Sequence, residues 1–404
     1  MRKYLVFAIG IALLFGISCS PGDQGTGDAE KTAVKAEVKT EVKAEVKEPI
    51  KIGAILAITG NASWLGEPER NTILMIAEKV NAAGGINGRK IELVIEDCEG
   101  IPANAVTSIN KLIKQDKVCA IVGPSRSGVA MALKPIAEAN EVPLIACAAA
   151  EAIVNPISKW VFKTPQNDSD CVIRIFEHMK TVNISKIAII TGTTGFGNAG
   201  RKQLVSIAAK MGITIVADET YNPPDTDMTA QLTKIRGTDA QAIVNWSIVP
   251  AQSIVPKNMR QLTMKIPLYQ SHGFGNINYV KQAGPAANGI IFPAGALLAF
   301  DSLPADHPRK ALLAKYAKDY KTKFNATAST FGGHAYDALT LVISALEKTG
   351  TDDKAALRDA IESTTNFKGT AGTFNYSATD HCGLEKDAFE LITVKDEKFV
   401  LYTP

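Results

Sequence analysis

The sequence predicts an α/β protein built as two doubly wound α/β lobes joined by three hinge crossings. Three observations predict it. From Ile50 onward, apolar runs of strand length alternate with amphipathic helical runs, the pattern of parallel sheets covered on both faces. The alternation breaks at "VFKTPQNDSD" (161–170) and begins afresh at "SKIAIIT" (185–191), so there are two such sheets. Residues 50–404 are too many for a single core and suit two domains.

The N-terminus speaks of location. Arg2 and Lys3 precede an apolar run from Leu5 to Ile17, too short for a stable transmembrane helix and ending in small residues. It reads as a secretory signal over 1–19, with Cys19 in "FGISCS" placed to carry a lipid. Gly16 stands where a lipobox usually has leucine, and ordinary cleavage near Ser18 is the alternative. Residues 20–49 read as a tether. In "AVKAEVKTEVKAEVKEP" the glutamates Glu37, Glu41 and Glu45 would repel at i, i+4 in a helix, which favours a solvated spacer that extends to roughly 100 Å. The protein is therefore expected to be exported, periplasmic or at the cell surface, and anchored to a membrane.

Charge and cysteine content exclude several classes. Lys and Arg number 44 against 41 Asp and Glu, with no basic cluster, so nucleic acid is not an expected partner. Beyond Cys19, the five cysteines 98, 119, 147, 171 and 382 lack zinc-ligand spacing; no metal or cofactor is expected. Cys98 and Cys119 could pair in an oxidising compartment, or all five could be buried thiols.

In order, "IKIGAILAI" is a buried strand, "ERNTILMIAEKVNAAGG" a helix ended by glycine, and "RKIELVIED" a strand. A helix over 103–115, the strand "KVCAIVG", the helix "GVAMALKPIAEAN" and the strand "VPLIAC" follow. A helix begins near Ser169. The second series runs through "SKIAIIT", helix 197–211, "ITIVADE", helix 228–236, "AQAIVNW", helix 250–264, "IPLYQ" and "GIIFPAG". Helices over 308–323 and 333–348 come next, and then the β signals "GTFNY", "FELITV" and "KFVLYT". The expected lobes are 50–167 with 297–372, and 168–296 with 373–404, crossing near 167, 297 and 372. Strand-end loops would floor a cleft between them, where open α/β sheets bind ligands and hinged lobes close.

The stretch "TGTTGFGNAGRKQL" (191–204) contains G-x-G-x-x-G in Gly195, Gly197 and Gly200, the outline of a dinucleotide fingerprint. The loop before the first glycine is longer than the fingerprint's tight turn, and the chain carries an export signal. A dinucleotide-dependent enzyme is thus the lesser alternative, and the loop reads as a glycine-rich edge of the cleft offering Phe196. Ser127 stands just before a helix, where its hydroxyl and the free N–H groups of the first turn suit an anion. The "CAAAEA" loop lets a ligand reach the backbone at Ala148 and Ala150. G-x-S-x-G is absent around Ser125 and Ser127, and no acid in the sequence is placed to orient His272, so a hydrolase is not supported.

"IKIGAILAITGNASWLGEPERNTILMIAEKVNAAGGINGRKIELVIED" with "VGPSRSGVAMALKPIAEANEVPLI" resembles the leucine/isoleucine/valine-binding family of solute receptors of ABC transporters, which have the type I periplasmic binding fold. The likeness runs from about Ile50 to near the C-terminus. It implies no catalysis, an ABC permease complex in the inner membrane as partner, and a monomeric receptor. It also implies that Ser127 contacts a ligand carboxylate and that the loop at Ala148 contacts the ligand through its backbone. Three positions depart from the amino-acid pattern. Ala150 replaces a threonine, Phe196 a tyrosine, and His272 the acid that pairs with an α-ammonium. A sealed ammonium without a carboxylate would cost several kcal/mol. With Trp64 and Trp246 placed to stack with Phe196, the altered site favours an aromatic or apolar organic acid over an amino acid. A ligand-sensing lipoprotein signalling to another membrane protein is the alternative to uptake.

Overall fold

The computed structural model describes residues 47–403. The signal, Cys19 and most of the tether lie outside the described residues. The end of the run read as tether is held in place: the Arg89 guanidinium donates to the Glu48 carbonyl at 2.8 Å, and Lys47 Nζ to Asn87 O at 3.1 Å.

The first sheet has five parallel strands: β1 (Ile50–Leu56), β2 (Ile91–Asp97), β3 (Ala120–Val122), β4 (Leu144–Ala146) and β5 (Val161–Lys163), in the order β2-β1-β3-β4-β5. β3 and β4 are wholly buried and β1 nearly so, as continuous apolar runs in a doubly covered sheet should be. Helices α1 (Ser63–Ala82), α2 (Pro102–Lys111) and α3 (Ser127–Ala139) connect the strands. The expected helix 103–115 ends its α-helical part at Lys111 and unwinds through a π turn over Leu112–Asp116. Lys117, at φ +56°, then turns the chain into β3.

The chain then passes to the second sheet. It contributes α4 (Asp168–Thr181), β6 (Lys186–Gly192), α5 (Gly195–Ala208), β7 (Thr214–Tyr221), α6 (Thr229–Arg236) and β8 (Ala242–Trp246). After these come α7 (Ile254–Gln261), β9 (Leu268–Gln270), α8 (Ile277–Ala283) and β10 (Ile291–Ala294). Helices α9 (Lys310–Phe324), α10 (Thr330–Thr349) and α11 (Lys354–Glu362) follow; α10 lies along α1, and α10 and α11 enter the core of the first sheet. A short hairpin, β11 (Phe367–Lys368) with β12 (Thr373–Phe374), precedes the return to the second sheet as β13 (Glu390–Lys395) and β14 (Lys398–Leu401). The second sheet runs β14-β13-β10-β9-β8-β6-β7, with β13 and β14 antiparallel to their neighbours. Its parallel part repeats the order of the first sheet. Each sheet therefore has a topological switch point, between β1 and β3 and between β6 and β8, and the site lies at the carboxyl ends of these strands.

The passages between lobes are bound to one another. Gln166 donates to Ala371 O (3.0 Å), Tyr376 OH to Lys163 O (3.0 Å), and Thr164 Oγ1 to His334 O (2.9 Å). On α10, Asp337 accepts the N–H groups of Thr370 (2.6 Å) and Ala371 (2.8 Å). The expected helix 250–264 is a 3-10 turn, Pro250–Ser253, followed by the shorter α7. The helices α8 and α11 stand where no element was expected.

The lobes rest against each other. Asn276 Nδ2 donates to Trp64 O (2.7 Å), Gln203 Nε2 to Glu151 Oε2 (2.9 Å), and the Thr330 N–H to Gly275 O (3.1 Å). Leu65, Ala149 and Phe331 of the first lobe pack into the apolar core of the second. This is a closed form.

Candidate ligand-binding cleft

On the first lobe, β3 and β4 deliver two loops side by side. Ser127 is the first residue of α3 and is buried. Its Oγ accepts the Ala150 N–H at 3.1 Å, which leaves its own O–H free to donate. The orphan N–H groups of the α3 first turn add positive potential at the same place. Ala148, Ala149 and Ala150 are buried, and their small side chains keep the backbone within reach of a solute. Ser125, two residues before Ser127, is turned inward. It accepts the Ala57 N–H (3.0 Å) and is hydrogen-bonded to Glu69, whose carboxyl burial raises well above its usual range. Ser125, one of the two serines weighed as a nucleophile, is thus committed to a buried acid within its own lobe.

The loop is fixed from behind by a lysine that the sequence reading passed over. Lys163, at the end of β5 and fully buried, donates to the carbonyls of Ala149 (2.7 Å), Pro165 (3.1 Å) and Gln166 (3.2 Å). Three acceptors satisfy the three donors of an ammonium, and they join the loop to the first passage between lobes.

The second lobe presents aromatic side chains. Phe196 stands 5.8 Å from Trp246 and 5.3 Å from His272 between ring centroids, and Trp246 and His272 are 5.7 Å apart, edge to face. The three come from the first turn of α5, the end of β8 and the turn after β9, and all are buried. Trp64 is elsewhere. It meets Tyr279 edge-on at 5.3 Å, half-buried between α1 and α8. The expectation that Trp64 stacks with Phe196 is corrected: α1 carries it toward α8 rather than toward the wall of the cleft.

The glycine motif has its explanation in packing. A Cβ on Gly197 would collide with the Gly192 carbonyl, and one on Gly200 with the Trp246 indole. A Cβ on Gly195 would come within 2.7 Å of the Gly128 backbone on the opposite lobe. Each glycine admits a close neighbour, so the spacing follows from helix-to-strand and lobe-to-lobe contact. Between the α3 and α5 starts lies an open recess of about 180 Å³ whose lining includes Arg126, Ser127, Thr194 and Phe196.

Sequence reasoning found no acid beside His272; the structure supplies one. Asp168, the first residue of α4, is fully buried, and its Oδ1 lies 3.7 Å from His272 Nε2. Neither carboxyl oxygen and neither ring nitrogen has a hydrogen-bond partner. Burial, opposed by Lys163, pushes the Asp168 carboxyl up to about 7. Burial, reinforced by Lys163 and then His334, holds His272 well below its usual value and therefore neutral at pH 7. In the sequence, Asp168 and Asp170 flank the helix start expected near Ser169, where acids are common and carry no sign of a ligand role.

The five described cysteines are free and buried. Cys98 and Cys119, considered as a pair, are both free thiols, which burial raises to about 11 and about 12. Among the described residues there is no cluster able to hold a metal, and no helix long and apolar enough to cross a membrane.

Two hinged α/β lobes, meeting over a hydroxyl-and-backbone floor on one side and an aromatic wall on the other, define a non-catalytic solute-binding protein. The family comparison agrees, with the periplasmic binding protein family matching residues 49–391, and the chain belongs to that family. Leu/Ile/Val-binding protein homolog 3 of Brucella melitensis is 25% identical over 87% of this chain and 93% of its own length. The leucine-, isoleucine-, valine-, threonine-, and alanine-binding protein of Pseudomonas aeruginosa is 26% identical over 81% and 85%. Among solved structures, an extracellular ligand-binding receptor of Rhodopseudomonas palustris HaA2 superposes with a TM-score of 0.82 at 28% identity, covering 88% of this chain and 99% of that one. The branched-chain amino acid transporter substrate binding protein LivJ of Streptococcus pneumoniae, in complex with isoleucine, gives 0.75 at 27%, covering 88% and 100%. Three of these four are named for branched-chain amino acids, and the fourth is an extracellular ligand-binding receptor.

Proposed function

We propose that this protein captures a small carboxylate-bearing solute with an apolar body, by hinge closure, for an ABC importer. The solute class spans apolar or aromatic amino acids and the corresponding organic acids. The observation that carries this reading is the unspent Ser127 O–H at the start of α3, which lines one recess with Phe196, the ring that packs on Trp246 and His272. In this reading Ser127, Ala148 and Ala150 hold the carboxylate, and the rings cover the apolar body. A charge-assisted hydrogen bond at such a site contributes about 1.5–3 kcal/mol. Ligand favours the closed form by its differential affinity, and the permease reads that form. The transport proteins among its relatives support uptake over signalling. Trp64 acts at the rim, on Tyr279, and Cys19 carries the membrane anchor.

Native mass spectrometry of protein purified from its own membrane fraction tests the reading. The expected spectrum shows one small carboxylic acid released on denaturation and a lipid mass on the mature N-terminus at Cys19. A dinucleotide in its place would overturn the functional reading, and an unmodified N-terminus the anchor.

A further inference from the structure

The recess between the starts of α3 and α5 holds a cation that the proposed reading leaves unused. We propose that the Arg126 guanidinium receives a second acidic group of the solute, so that the cargo is a diacid. One carboxylate lies on Ser127 and the loop at Ala148 and Ala150, and the other, at the far end of the body, lies on Arg126. This rests on the proposed carboxylate-receptor function and narrows its solute class.

Three observations carry the assignment. First, the guanidinium is half-buried without a counter-charge. Among the described residues it makes one long hydrogen bond, from Nη1 to Gly100 O at 3.4 Å, and no ion pair. Arg89, Arg174, Arg201 and Arg358, by contrast, each pair with a carboxylate. The ionisable groups that face Arg126 are the Cys98 thiol and the Tyr279 hydroxyl, and burial raises both, so both are neutral at pH 7. Burial lowers Arg126 from its usual value, yet a guanidinium keeps its charge at pH 7. Its remaining donors suit a carboxylate, which a guanidinium grips through two parallel hydrogen bonds.

Second, the recess suits negative charge. Gly100, Thr194 and Ile248 line it beside Arg126, Ser127 and Phe196, and no acid does. The first turns of α3 and α5 both open on it, and their N–H groups add positive potential to that of the guanidinium. Gly100 makes the room: a Cβ there would come within 2.8 Å of Arg126 Cδ.

Third, the two anion readers diverge. Ser127 Oγ meets the Ala150 N–H, after β4, whereas Arg126 reaches Gly100, after β2. In the order β2-β1-β3-β4-β5 these partners lie on opposite sides of β3, the strand that leads into both readers. Neighbouring strands are about 4.8 Å apart, so Gly100 stands roughly two such spacings from β3 on one side and Ala150 one spacing on the other. A monoacid reaches one reader, whereas an acid with carboxylates at both ends of a short body meets both. Asp168 follows β5, at the opposite edge of the strand order from Gly100, which keeps the second acidic group away from it.

The test is calorimetric titration of the ligand-stripped chain with two carbon-matched pairs: hexanoate against hexanedioate, and 4-methylbenzoate against benzene-1,4-dicarboxylate. At least one diacid should bind about 10- to 100-fold more tightly than its monoacid, the scale of one charge-assisted hydrogen bond. Arg126→Gln should cut that ratio to about threefold or less, and Arg126→Lys, which keeps the charge without the fork, should give a ratio between the two. Equal affinity for both members of each pair, or a ratio that Arg126→Gln leaves unchanged, overturns the assignment and leaves the carboxylate receptor standing. If Arg126→Gln fails to fold, the ratios in the unaltered protein and in Arg126→Lys decide. Binding of none of the four compounds to the unaltered protein overturns the receptor reading for apolar bodies, and the assignment with it.

Discussion

The two lobes share a strand order and divide the work of recognition differently. In the proposed reading the first lobe would meet the solute with main chain and one hydroxyl: Ser127, the α3 start and three consecutive alanines. The second would meet it with bulk: Phe196, Trp246 and His272, buried side chains from three different strand ends, of which Phe196 and Trp246 are also core residues. A polar head is read by fixed backbone geometry, which tolerates few changes. A variable body is read by side chains, which a family can exchange one at a time. The departures from the amino-acid pattern follow this division only in part. Phe196 and His272 lie on the second lobe, while Ala150 ends the first lobe's own loop.

If the division is right, the lobes should fail differently. Trp246→Ala should show the largest effect. It empties a fully buried site in the core of the second lobe and should lower unfolding free energy by about 3–5 kcal/mol, together with loss of measurable solute binding, as read by denaturant titration and calorimetry. Ser127→Ala separates recognition from stability. Affinity for the carboxylate solute should fall roughly 10- to 100-fold, while stability drops by only about 1 kcal/mol from the freed Ala150 N–H. Equal losses in the two variants would erase the distinction between the lobes.

A separate effect is one of pH, in the ligand-free protein. An acid raised from 3.8 in the unfolded chain to about 7 when folded holds its proton preferentially in the folded state between those values. Its contribution is fully present below pH 4 and is lost as pH rises toward 7 and above. Asp168→Asn carries no such loss. Its melting temperature relative to the unaltered protein should therefore climb from pH 5 to pH 8. His272, neutral and common to both proteins, cancels from the difference. A flat difference would mean that Asp168 is solvated.

The parts of the molecule that could be read from the chain are those written in local pattern. β1, β3 and β4 are continuous apolar runs, and α1 and α10 are long periodic ones. The helix α11 escaped because it is short and polar, although Asp353 caps it through Ala356 N at 2.9 Å. The helix α8 escaped because it has only seven residues, between Asn276 and Gly284. In the cleft, Ser127, Ala150, Phe196, Trp246 and His272 were each visible at a strand end. Trp64 was visible too, but its direction is set by how α1 meets α8, which no local signal encodes. Asp168 was hidden for a different reason. At the start of a helix an acid is ordinary, and only the fold reveals that this one is sealed in and faces a histidine from another strand.

One contact has a consequence for the partner outside. Gly128 of one lobe and Gly195 of the other lie so close that a Cβ on Gly195 would come within 2.7 Å of the Gly128 backbone, a contact on which a closing movement would stop. Such a stop fixes the final aperture whatever cargo is inside, so a loaded receptor would offer its transporter one constant outline. A single methyl at position 195 would act as a wedge in those jaws, leaving the floor intact for the headgroup while denying the outline by which delivery is recognised.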